Sequence, residues 1–379
     1  MQYRHSHLID PSSYPTQGLC TGIPLRCHRN SDIDEHGTIR LRSDWQTHVG
    51  PLPQTTHGGL GPHYNFTAVT IPECRPDRLE IVAYAMEFAF LHDDLIDADE
   101  TGNGVALYEG IMRDIGVRSR GGNPGGSVTG EGRLLRGIIE EMARIDAGRT
   151  REVLGYWKRG VSLPRDRTRF GSFEEYLDFR LVDSGAFLLT GLMTFGMALT
   201  IPPEEKDECV NLTRCVWLAA FLTNDVQSWE KEREEYKTLI AASDGEDTPH
   251  MVNGVWVLMQ QDGVDVEEAI KRVLQKVKGF VADVVRTVED VRSREDLSED
   301  SRCFVEAAQY MVSGNLVWGI DSPRYHADRT LNALQVARME STVCTWPHHV
   351  APVIKDPNLL PTPLEDGARV GGGEYVESV

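Results

Sequence analysis

Apolar residues recur at three- and four-residue steps along most of the chain beyond residue 75. Leu79, Val82, Ala83, Met86 and Phe90 mark a helix over Pro76–Asp97, with Pro76 and Asp77 as its start. The same spacing predicts helices over Arg133–Trp157 and Ser172–Leu199. Ser172 followed by Glu175 is a capping box, and Asp183-Ser184-Gly185 is a break within the second of these. Pro202-Pro203 opens another helix that passes Trp217 and Phe221 and ends near Lys237. More are expected at about Thr248–Gln261, Asp265–Ser293 and Glu299–Ile320. Residues 1–75, rich in Pro, Gly, His and Thr, read as irregular chain wrapping a core, with one short helix near Ile39–His48. Gly116–Gly132 and Gly160–Gly171 read as loops. No strand alternation is sustained and no repeat appears. The prediction is an all-α chain of about ten helices, one bundle over residues 1–345 and a Pro/Gly-rich tail or linker over 346–379.

Composition narrows the function. The net charge of −19 argues against nucleic acid, whose phosphates need clustered Lys and Arg, and against an anionic membrane surface. An acidic protein that takes an anionic substrate needs metal ions or a few well-placed cations at the site. The 7 cysteines, scattered and odd in number, form neither a disulfide framework nor a zinc spacing, so a reducing compartment is expected. No apolar run reaches the ~18 residues of a membrane span, the N-terminus lacks an apolar leader, Gln2 stands where myristoylation needs Gly, and no prenylation box ends the chain. The expectation is a soluble, cytoplasmic protein.

Two acidic clusters carry the chemistry. Asp93-Asp94-Leu95-Ile96-Asp97 offers carboxylates at i, i+1 and i+4. About 130 positions later, Asn224, Ser228 and Glu232 stand at i, i+4 and i+8, with Lys231 beside them. With 3.6 residues per turn, each set lines one helix face. Opposed, the two faces would make an oxygen-rich site for a hard cation, open to phosphate. Each helix is also apolar on the same face one and two turns upstream: Phe90 and Met86 on the first, Phe221 and Trp217 on the second. Singly, the first cluster reads sooner as a solvated acidic helix end, and the second equally as a charged one. Arg180 interrupts an apolar helix, where a buried guanidinium needs a partner such as Asp183. Arg324-Tyr325 follows Pro323 just past a helix holding Asn315 and Trp318.

Taken together, these residues resemble a class I terpene cyclase: D(D/E)xxD, an arginine 44 positions ahead of the second motif, NDxxSxxKE, then an Arg-Tyr pair, in that order. Gly18-Leu19-Cys20, Gly61-Pro62, Pro72-Glu73-Cys74 and the segment Glu87 to Asp94 are similar to the cyclase domain of fungal chimeric di- and sesterterpene synthases. The resemblance spans about residues 1–345 and implies one α-helical terpenoid-synthase bundle around an apolar cavity. It implies three Mg²⁺ ions that hold an isoprenoid diphosphate, geranylgeranyl diphosphate by preference and geranylfarnesyl diphosphate as the alternative. Asp93, with Asp94 and Asp97 completing its motif, and Asn224, Ser228 and Glu232 would be the metal residues. Arg180, Lys231, Arg324 and Tyr325 would bond the diphosphate, with Asp183 as linker and Ser184 as the residue whose carbonyl meets the allylic carbon. Phe66, Met86, Phe90, Phe187, Trp217, Phe221 and Trp318 are the candidate cavity walls.

Such enzymes join the cyclase to a C-terminal prenyltransferase domain with Asp-rich motifs of its own. None follows residue 232 here, so the chain reads as an excised cyclase or a stand-alone one, with the tail favouring excision. Oligomerisation stays open. Two other readings are weighed: a metal phosphohydrolase using His92-Asp93, for which no matching His spacing is found, and a silent helical interaction module. Arg180→Ala is expected to abolish ionisation and leave the fold intact.

Overall fold

The computed structural model describes residues 1–52, 57–97, 129–161, 169–242 and 251–345, leaving aside the side chains of residues 95–97, 161, 242 and 342–345. The chain opens with two short antiparallel strands, β1 (Ser6–Leu8) and β2 (Arg26–His28), paired Ser6 to His28. They lie against the bundle because the Glu73 carboxylate accepts the N–H groups of Arg4, His5 and Ser6. Eleven α-helices follow among the described residues: α1 (Ser31–His48), α2 (Phe66–Thr70), α3 (Pro76–Asp97), α4 (Gly130–Val161), α5 (Phe173–Asp183), α6 (Ala186–Gly196), α7 (Lys206–Ala242), α8 (Gly254–Asp262), α9 (Val266–Arg292), α10 (Glu299–Asp321) and α11 (Ala333–Thr345).

Local chemistry sets several of these boundaries. Ser172 accepts the Glu175 N–H, and Glu175 reaches back to the Gly171 N–H, a capping box displaced by one residue. Asp265 and Ser298 cap α9 and α10 in the same way. The break between α5 and α6 falls at Gly185, whose φ of +77° ends one helix and opens the next. Helix α9 buries one valine stripe, Val273, Val277, Val281, Val284, Val288 and Val291. Nearly every residue of α10 from Phe304 to Gly319 is buried, which makes it a central helix, packed on α2, α7 and α9. α3 packs on α1, and α4 on α6.

The predicted all-α bundle is the observed one, with several differences. α1 begins at Ser31, a full two turns before the short helix expected at Ile39. Its polar buried face explains the difference: Asp34, Glu35 and Thr38 are inside, and Asp34 accepts the Ala68 N–H at 2.6 Å, capping the first turn of α2 from outside. α4 holds a kink at Asp146 (φ −159°, ψ 91°), where the carboxylate takes the Arg149 N–H and pairs with Arg78 and Arg149. α7 runs five residues beyond Lys237. α11 has no counterpart in the sequence reading: Leu334 is 70% exposed, and the helix docks through buried Gln335, which donates to Gly61 O and Asn65 Oδ1. The loop expected at Gly116–Gly132 lies outside the described residues as far as residue 128, and Gly130–Gly132 already belong to α4. Residues 162–168, 248–250 and the tail at 346–379 lie outside them too. No helix among the described residues is long and apolar enough to cross a membrane.

Candidate active site

The first acidic cluster occupies the last turns of α3. Asp94, 16% exposed, accepts Arg324 Nη1 on Oδ2 at 2.8 Å, with Nη2 2.8 Å from Oδ1 as an ion-pair contact, and lies 3.7 Å from Lys231 Nζ. The fingers of both motifs therefore meet at this one carboxylate. Asp93 is 65% exposed, with Arg324 Nη2 at 3.6 Å. Its carboxyl is nevertheless pushed above the ordinary range, first by burial among surrounding protein, then by Asp94 and Asp183, while Arg324 and Arg180 pull it down. The Asp97 side chain lies outside the described residues.

The second cluster sits mid-way along α7 and is bound on every side. Asn224 donates Nδ2–H to the Tyr325 hydroxyl at 2.5 Å and accepts Arg180 Nη2 on Oδ1 at 3.1 Å. Ser228 donates to the Asn224 carbonyl at 2.8 Å. Glu232 is raised by burial first and by Asp225 next, and Asn253 Nδ2 donates to it at 2.8 Å. Asp225, wholly buried, accepts the Tyr176 hydroxyl at 2.5 Å, the Gly254 N–H at 3.0 Å and Arg180 Nε at 3.0 Å.

Arg180 thus spans Asp225, Asn224 and, at 3.2 Å, Asp183. The expected Asp183 partner is present but is the lesser one. Ser184 donates its N–H to the Arg180 carbonyl at 3.1 Å, ending α5, and its hydroxyl is buried without a hydrogen-bond partner among the described residues. Tyr325 is pushed up to about 12 by burial first, and both Glu232 and Asp93 add to that while Arg324 opposes it. Tyr325 accepts from Asn224 of α7 while its neighbour Arg324 pairs with Asp94 of α3, which brings the two motifs together.

Aromatic rings gather beneath these groups. Phe66, Phe90 and Trp318 meet with centroids 4.9 to 5.5 Å apart, Trp318 meets Tyr325 edge-on at 5.5 Å, and Arg324 lies 5.0 Å from the Phe90 ring. Trp318 donates its indole N–H to Gly59 O at 3.0 Å, which also accepts the Phe66 N–H. Trp217 and Phe221 stack at 6.0 Å, with Arg180 at 6.0 Å from the Phe221 ring. Met86 is buried on α3. Phe187 is placed differently: it packs on Gly160 and under the Arg159 guanidinium at 5.2 Å, at the end of α4. Its apolar character, visible in the sequence, serves helix packing there.

Oxygen donors fit a hard cation. Asp93 and Glu232 are carboxylates whose charge burial disfavours and a cation would stabilise, with Asn224 and Ser228 oxygens on the same helix face as Glu232. Among the described residues no three His, Cys, Asp or Glu side chains form a metal cage by themselves. His92 is buried and stacked on Phe88 at 5.7 Å, an apolar setting for the imidazole of the phosphohydrolase reading.

Sequence reasoning missed Asp225, Tyr176 and Asn253. Asp225 stands inside the motif already singled out, and its burial was the missing signal. Tyr176 and Asn253 carry no local pattern that marks them.

Residues 84–283 match the family described as terpene synthase family 2, C-terminal metal binding. Phomopsene synthase from Phomopsis amygdali is 53% identical over 355 residues, covering 92% of this chain and 47% of that protein. A bifunctional type I diterpene synthase from Aspergillus flavipes is 37% identical over 354 residues, covering 92% and 45%. The chain spans about half the length of these relatives. The crystal structure of aristolochene synthase from Penicillium roqueforti superposes with a TM-score of 0.59 at 19% identity, over 78% of this chain and 96% of that one, which shows the fold. The chain belongs to the terpene synthase family and has its class I α-helical cyclase fold.

Proposed function

We propose that this chain ionises geranylgeranyl diphosphate and cyclises it to a polycyclic diterpene hydrocarbon, with Mg²⁺ held between Asp93 of α3 and Asn224, Ser228 and Glu232 of α7. Three ions are expected. The observation that carries the proposal is the seat of Arg324: one guanidinium pairs with Asp94 at 2.8 Å and lies 5.0 Å from the Phe90 ring, so a cation suited to gripping diphosphate borders a cluster of aromatic rings. Likeness to a bifunctional diterpene synthase supports the C20 substrate.

Mg²⁺ bound there supplies the Lewis acidity that neutralises a departing diphosphate. Arg180, Lys231, Arg324 and Tyr325 supply hydrogen bonds to the diphosphate oxygens. The allylic C–O bond breaks with its electron pair leaving on diphosphate. Phe66, Phe90 and Trp318 exclude water from the remaining allyl cation and offer it π faces. Ring closures follow the contour of the chamber, and the final proton leaves to diphosphate. A prenyltransferase unit is the proposed source of the substrate, in keeping with relatives twice this length.

The test is incubation with geranylgeranyl or geranylfarnesyl diphosphate, with and without Mg²⁺, and mass spectrometry of the hexane extract. A C20 hydrocarbon that requires Mg²⁺ is expected. A C25 hydrocarbon alone moves the assignment to a sesterterpene cyclase. Phosphate release without any cyclised hydrocarbon defeats both.

A further inference from the structure

One buried side chain outside both motifs holds the second motif together. Asn253, the residue before α8, has no accessible surface, and both polar atoms of its side chain have partners. Its Oδ1 accepts the Val255 N–H at 2.8 Å, capping α8, while Nδ2 donates to the Asp225 carbonyl at 2.8 Å and to Glu232 Oε2 at 2.8 Å. The next residue, Gly254, donates to Asp225 Oδ2 at 3.0 Å. A Cβ at Gly254 would meet that oxygen at 2.9 Å and the Tyr176 ring at 3.1 Å, so a larger residue pushes the start of α8 away from α7. Asp225 gives its other oxygen to Arg180. The start of α8 therefore grips Glu232 through one amide and Arg180 through one carboxylate. Only a primary amide meets these demands at once, with an acceptor toward the helix cap and two donors toward a carbonyl and a carboxylate.

We propose that Asn253 is a positioning residue for cation binding. It fixes the Glu232 carboxylate and ties it to the stretch of main chain whose Asp225 holds Arg180, so metal ligand and diphosphate contact stay in register. The proposal rests on Glu232 being a metal ligand, as argued above. Partners that orient metal ligands typically change metal affinity by ~10–100-fold.

The experiment is calorimetric titration of Mg²⁺ in the presence of inorganic pyrophosphate, on the wild type, Asn253→Asp and Asn253→Ser. Both variants keep an oxygen able to cap Val255 and lose the amide donor; the serine does so without adding charge beside Glu232. Half-saturating Mg²⁺ should rise about 10–100-fold in both. Turnover at saturating Mg²⁺ should stay within about threefold of wild type, since the change lies in binding rather than chemistry. Wild-type Mg²⁺ dependence in both variants overturns the proposal. So does a lowered melting temperature with turnover that saturating Mg²⁺ does not restore, the signature of a structural role. A wild type that shows no Mg²⁺-dependent pyrophosphate binding removes the metal site itself, and this inference with it.

Discussion

Asp93 and Asp225 stand on facing helices and share Arg180 as an electrostatic neighbour, yet one side chain is 65% exposed and the other is wholly buried. Asp225 has its oxygens filled by a phenol, a main-chain N–H and a guanidinium, which leaves it nothing to offer a ligand. Asp93 has an arginine at 3.6 Å and accessible surface. The lesson is that an acidic motif divides its labour. Some carboxylates are filled by neighbouring donors and others keep accessible surface, and residue type does not tell them apart.

Removing Arg180 tests that division most severely. From the sequence alone Arg180→Ala is expected to leave the fold intact; the structure adds an expected cost in stability, because the substitution leaves the Asp225 carboxylate buried without its cation. Breaking a buried pair from one side costs about 3–5 kcal/mol. Arg180→Ala should therefore lower unfolding free energy by that order in urea titrations and also stop hydrocarbon formation. Adding Asp225→Asn should recover part of the stability and none of the turnover. Asp93→Asn should cut turnover by ~10²-fold or more without lowering stability, since it removes a charge that the surrounding protein disfavours. Equal stability losses in Arg180→Ala and Asp93→Asn would erase the distinction.

A second way to sharpen the comparison is pH. Burial raises both Asp93 and Glu232 above their ordinary values of 3.8 and 4.5. The fold thus favours their protonated forms, so the stability they contribute is complete below those values and is lost as pH rises through the raised ones. Asp146 in the α4 kink runs the other way. Against the push of burial, Arg149 and Arg78 pull it down to about 2, so its contribution is present above 3.8 and lost only as pH falls toward 2. Thermal melts should show wild type losing stability from about pH 4 upward relative to Asp93→Asn/Glu232→Gln, and Mg²⁺ with inorganic pyrophosphate should recover more stability at pH 8 than at pH 5. A wild type and double variant with parallel pH curves would show that these two carboxyls are not held under strain by the site.

Much of this was legible in the chain because its physics is local. The 3.6-residue period gave α3, α7, α9 and α10, and the i, i+4, i+8 spacing of Asn224, Ser228 and Glu232 put them on one face. What stayed hidden depends on contacts between distant segments. α11 docks by a buried glutamine and exposes its leucine, so no apolar stripe announces it. α1 buries Asp34 and Glu35, which a periodicity of apolar residues reads as surface. Asn253 lies 21 residues from the Glu232 carboxylate it holds, and nothing in the intervening sequence points to that bond.

The smallest expected effect concerns rings that look alike in sequence and that the structure separates. Trp318 is packed among Phe66, Phe90 and Tyr325 beside Arg324, whereas Phe187 lies on the end of α4 beneath Arg159. Trp318→Ala would open a cavity costing about 3–5 kcal/mol and would confuse shape with stability. Trp318→Phe is the cleaner change: it keeps a ring, and loses the indole N–H that fastens Gly59 and the wider face that bounds the chamber. It should alter the ratio of hydrocarbons while diphosphate release stays within about threefold of wild type, because in the proposed mechanism ionisation depends on the cations above and not on this ring. Phe187→Leu should leave the ratio unchanged, since a leucine still covers Gly160. Mass spectrometry of both extracts at matched turnover decides it. A product shift from Phe187→Leu equal to that from Trp318→Phe would mean the chamber extends to the end of α4, and that the cluster around Trp318 is only one part of its wall.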